Sequence, residues 1–72
     1  MSDIGERIKT LRMERKILQK DIVKECDIAL RSLIYYEKSE RKPDSETIIK
    51  LCRYFNVSAD YLLGLSDDPE RR

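Results

Sequence analysis

Between Gln19 and Glu37 the chain reads QKDIVKECDIALRSLIYYE, two short helical patterns with almost nothing between them. Ile22, Val23 and Cys26 supply one apolar stripe, and Ile28, Leu33 and Tyr36 supply the next. The spacing predicts a sharp turn at Cys26-Asp27-Ile28. No glycine stands there, but aspartate tolerates left-handed backbone better than most residues. A connection this short keeps the two helices from forming a long hairpin, so they must cross steeply. The latter of the two, from about Leu30 to Lys38 and the third helix of the chain, is left as a rod at the surface. A rod of helical diameter fits the major groove of DNA.

The rest of the chain supplies partners for this unit. Ile4, Ile8 and Leu11 recur at helical spacing and predict a helix from Ile4 to Arg15, with Asp3 and Glu6 arranged as a capping box. Ile17 and Leu18 lead into the second helix, Gln19 to Cys26. SERKPD, residues 39–44, is polar, holds a proline and reads as a loop. Asp44 or Ser45 caps a fourth helix with Ile48, Leu51, Cys52 and Phe55 on its inner face, and Asn56 ends it. Ser58 caps a short fifth helix, ADYLL, which Gly64 stops. No alternating run is long enough for a strand. The expectation is an all-α fold, a compact five-helix bundle over residues 1–66 with a tail, 67–72, that frays. Leu62 and Leu63 join the expected core.

Seventy-two residues make one domain, and a chain this short has a small core. Cys26 and Cys52 lie far apart, outside any C-x-x-C pair, and the chain has no histidine, so a zinc site lacks ligands. Both cysteines fall on apolar faces and read as small buried hydrophobes, with a disulfide between them the lesser alternative. MSDIGERIK holds no apolar run for a signal peptide or a membrane span, which points to a cytoplasmic protein with no membrane partner. No glycine-rich phosphate loop or paired carboxylates suggest an enzyme, and no cofactor is expected.

The net charge is only +1, but it is unevenly spread. From Arg7 to Lys42 eleven Lys/Arg stand against six Asp/Glu, whereas from Pro43 to Arg72 four stand against six. The positive excess sits in the half that holds the two-helix unit, a modest footprint for a polyanion. A solvated charged surface is the plainer alternative.

Together IGERIKTLR, Gln19, Glu37, Arg41-Lys42-Pro43 and VSADYLLG, in this order and spacing, resemble the helix-turn-helix transcription regulators of the phage repressor and Cro type, lambda repressor-like in fold. The resemblance spans Ile4 to Gly64. It implies a domain that binds double-stranded operator DNA as a dimer, with the third helix in the major groove. The chain departs from the pattern at Leu18, where the family usually has a capping threonine or serine, and at Ala29, where it often has serine.

On the third helix the expected base-reading residues are Leu30, Arg31, Ser32, Ile34 and Tyr35. Arginine can bond guanine O6 and N7 together, serine can bond a base or phosphate, and the apolar side chains can pack on thymine methyls. The resemblance implies that Gln19 bonds a phosphate and braces the start of this helix, and that Arg12 and Glu37 form a partly buried ion pair fixing its angle. Lys20, Lys38, Arg41 and Lys42 suit flanking phosphates, with Lys9, Arg15 and Lys16 weaker candidates.

Phe55, Val57, Tyr61 and Leu65 are the expected dimer patch of a weak homodimer. The alternative function is a protein-interaction module, antitoxin-like or an anti-repressor target, that grips a protein regulator through the apolar Leu30, Ile34 and Tyr35 face.

Overall fold

The computed structural model describes residues 3–70. Among them are five helices and no strand: α1 (Ile4–Glu14), α2 (Gln19–Cys26), α3 (Leu30–Glu37), α4 (Ser45–Phe55) and α5 (Ala59–Leu62). The bounds match the apolar periodicity closely. Helix α1 ends one residue early, and Lys38 and Leu63 are caps and not the last helical residues.

Three helices start on side-chain caps. Asp3 Oδ1 accepts the Glu6 N–H at 2.8 Å, Asp44 Oδ1 accepts the Thr47 N–H at 2.8 Å, and Ser58 Oγ accepts the Tyr61 N–H at 3.0 Å. Each satisfies one of the N–H groups that a first turn leaves without a partner. Helices α2 and α3 start on Leu18 and Ala29, which have no such acceptor. At α2 the Asp21 carboxylate instead reaches back to the Leu18 N–H at 3.3 Å, half of a capping box.

All five helices stop the same way. Lys16, Asp27, Ser39, Asn56 and Gly64 each follow a helix with positive φ, between 53° and 81°. After α1, α3 and α5 the reversal is closed by paired bonds to the last turn, as in Glu40 N–H to Tyr35 O and Ser39 N–H to Tyr36 O. Only one of the five is glycine. Asp27, Asn56 and Gly64 were legible as stops; Lys16 and Ser39 carry no comparable signal.

The core runs through all five helices. Ile8 and Leu11, Ile22 and Cys26, Leu33 and Tyr36, Leu51, Cys52 and Phe55, and Leu62 are buried, and Val57 plugs the α4–α5 corner. Complete burial of a leucine, isoleucine or phenylalanine contributes about 1.5–3 kcal/mol. Helix α3 packs on α1 and α2; α4 packs on α2 and α5. Leu63, expected inside, is 40% exposed because the chain has already left the helix there. Thr47 and Pro43 are buried although neither stood on a predicted core face.

The described part of the tail turns back on the bundle. Ser58 N–H donates to Pro69 O at 3.0 Å, and Ser58 Oγ to Asp68 O at 3.4 Å, so residues 67–70 lie back across the start of α5. Arg71 and Arg72 lie outside the described residues.

Candidate nucleic-acid interface

Helix α3 buries one edge and exposes the other. Leu33, Tyr36 and Glu37 face the interior. Leu30 is 48% exposed, Arg31 is exposed, and Ser32, Ile34 and Tyr35 are half-buried. These five side chains share the outer part of one short rod. The Arg41 guanidinium lies over the Tyr35 ring, 5.4 Å from its centroid, so the loop after α3 borders the same surface. Lys20, Lys38, Arg41 and Lys42 are all exposed.

What holds the rod is a buried charged node behind it. Arg12 Nε donates to Glu37 Oε2 at 2.7 Å and Arg12 Nη2 to Glu37 Oε1 at 3.0 Å, a two-pronged pair between α1 and the end of α3. The third nitrogen, Arg12 Nη1, donates to Ile17 O at 3.2 Å in the turn before α2. Gln19 Nε2 donates to Glu37 Oε1 at 3.1 Å. Gln19 therefore braces the end of α3 and not its start, because the carboxylate that can accept its amide stands at Glu37. The Glu37 side chain is 5% exposed, and these donors take the place of water around its carboxylate.

Gly5 sets the distance between α1 and α3. A Cβ there would lie 1.9 Å from Tyr36 O, so only hydrogen fits between the helix backbones. Next to it, Ser39 Oγ donates to both Asp3 carboxylate oxygens at 2.9 and 3.0 Å. The Glu6 N–H first, and then the Ser39 hydroxyl, hold the Asp3 carboxyl below its usual range. The C-terminal end of α3 is thus referenced to α1 and to the start of α2. Sequence reasoning passed over Gly5 and Ser39; the one available signal was a glycine inside the first turn of a helix, where it weakens the helix unless something passes close by.

The structure divides the four residues of the expected dimer patch between interior and surface. Phe55 and Val57 are 0% and 1% exposed, closed in by α4, α5 and their corner. Arg15 donates to Phe55 O and its guanidinium leans over the Phe55 ring, which caps the α4 C-terminus with a cation. Tyr61 is half-buried under the Arg7 guanidinium, 4.2 Å from the ring centroid, while Leu65 is 71% exposed. Of these four, Tyr61 and Leu65 offer side-chain surface to a partner.

Cys26 is a buried free thiol whose pKa burial raises; its Sγ lies 3.9 Å from Lys50 O. Among the described residues no group of three or more His, Cys, Asp or Glu could hold a metal ion, and no helix is long and apolar enough to cross a membrane.

Comparison with known proteins agrees with this geometry. The model of a helix-turn-helix domain family matches residues 5–67. The chain belongs to that family. This helix-turn-helix domain is 39% identical over 61 residues to the HTH-type transcriptional regulator ImmR of Bacillus subtilis (strain 168), covering 85% of the chain and 48% of ImmR. It is 33% identical over 60 residues to repressor protein C2 of Salmonella phage P22, covering 83% of the chain and 28% of C2. The crystal structure of the P22 c2 repressor in complex with a synthetic operator superposes with a TM-score of 0.83 at 30% identity, covering 92% of this domain and all of that chain. The domain spans between 28% and 58% of the length of the curated relatives it matches.

Proposed function

We propose that this helix-turn-helix domain binds a palindromic DNA operator, sequence-specifically, as the DNA-reading part of a transcriptional repressor. The observation that carries the reading is the outer edge of α3. It offers one bidentate donor among apolar groups, on a rod held from behind by the Arg12, Glu37 and Gln19 node. Relatives named as HTH-type regulators and a phage repressor, and a fold neighbour crystallised with an operator, support it.

In this reading Arg31 bonds a guanine through O6 and N7, and Leu30 and Ile34 pack on thymine methyls. Tyr35 contributes ring and hydroxyl, and Ser32 a bond to a base or phosphate. Gln19, Lys20, Lys38, Arg41 and Lys42 take phosphates on either side of the reading rod and set register without reading sequence. Two copies on neighbouring turns, about 34–36 Å apart, gain affinity together, touching weakly through surface near Tyr61 and Leu65. Binding across a promoter would exclude polymerase.

Selection of bound sequences from a random duplex pool tests the reading. A palindromic consensus with a guanine beside thymines in each half-site is expected. Arg31→Ala should relax preference at that guanine, with about 1–3 kcal/mol of discrimination lost. No enrichment, or an equal loss on every sequence, would count against it.

A further inference from the structure

Resting on that reading, we propose that Glu37 is a positioning residue for DNA binding, acting through Gln19: its carboxylate holds the Gln19 amide with one N–H inward and the other directed out to a backbone phosphate. The Glu37 Oε1 atom accepts from both Arg12 Nη2 at 3.0 Å and Gln19 Nε2 at 3.1 Å. An amide turned the other way would set its oxygen against this carboxylate, so the charge selects which end of Gln19 faces it. Gln19 is the first residue of α2, where N–H groups and the positive end of the helix favour an anion. Arg12 completes the coupling, because its third nitrogen holds Ile17 O two residues before Gln19. One buried carboxylate thereby orders the turn before α2, the phosphate-facing amide on it and the end of α3.

A methylphosphonate scan separates this role from a merely structural one. The probe is the palindromic duplex recovered by the pool selection, with one backbone phosphate neutralised at a time. Wild-type protein should lose about tenfold in affinity at one phosphate per half-site that Gln19→Ala ignores. Glu37→Gln should lose the penalty at that same phosphate while keeping the others. A uniform drop at every position in Glu37→Gln, with the pattern intact, would overturn the proposal.

Should Glu37→Gln fail to fold, wild-type protein alone decides the matter by NMR of the Gln19 side chain. One amide proton should already be displaced downfield in the free protein, and the other should move on adding duplex. Two protons at ordinary exposed positions in the free protein would overturn it. Failure to enrich any duplex would remove the DNA-binding reading and this inference with it. Enrichment followed by identical scans would remove this inference alone.

Discussion

Glu37 and Gly5 show how much a single position can decide. Glu37 is a charge inside a small core, tolerable only because Arg12 grips both oxygens. Replacing Arg12 by alanine leaves that charge buried with Gln19 alone as donor, and should lower unfolding free energy by about 3–5 kcal/mol in urea titrations. Replacing both by well-packed apolar residues should restore much of the loss, since the pair itself adds little net stability. Gly5→Ala would normally strengthen a helix. Here the new methyl meets the Tyr36 backbone carbonyl, which cannot swing aside as a side chain can. The expected outcome is a loss near the upper end of the 1–3 kcal/mol range for overpacking, read as a lowered Tm, with α3 displaced from α1.

At the scale of the elements, the helix ends carry the variable stability. Lys16 closes α1 with φ 56°, a conformation that disfavours any residue with a Cβ. Lys16→Gly should raise stability by about 1 kcal/mol, or roughly 4–8 °C in Tm for a domain of this size. The side-chain caps predict an acid response. Glu6 N–H and the Ser39 hydroxyl lower the Asp3 pKa, and the Thr47 hydroxyl and N–H lower that of Asp44. Both carboxylates hold protons less tightly folded than unfolded. Their contribution is complete above about pH 4 and drains away as pH falls through the lowered folded values. Thermal melts between pH 5 and pH 2 should show the decline, and Asp44→Asn should flatten it.

For the whole molecule, the question is where the charge of a nearly neutral chain goes. Lys20, Lys38, Arg41 and Lys42 are exposed near the two ends of the helix-turn-helix unit, whereas Arg12 and Arg15 are spent on internal carbonyls and Glu37. Removing one exposed lysine, as in Lys42→Ala, should weaken duplex binding on all sequences and reduce the log–log salt slope by about 0.9. Removing Arg15 should leave the slope unchanged and lower stability, because its guanidinium serves the end of α4. Fluorescence anisotropy across a salt series separates the two.

The helices, their order and the apolar stripes were legible in the sequence because they obey local rules: a 3.6-residue period, side chains that accept first-turn N–H groups, residues that tolerate left-handed backbone. Leu33 and Tyr36 inward, Leu30 and Arg31 outward, follow from spacing alone. The pairing of Arg12 with Glu37 was reachable only through family resemblance, since the two stand 25 residues apart. Tertiary packing decided the rest. It drew Val57 inside, because the α4–α5 corner folds onto the core, whereas Phe55 already stood on the inner face of α4 by spacing. It turned the Gln19 amide to Glu37 and made Gly5 the contact between α1 and α3. Period and propensity act along the chain, whereas burial, close approach and charge compensation act between segments that meet only once the bundle has closed.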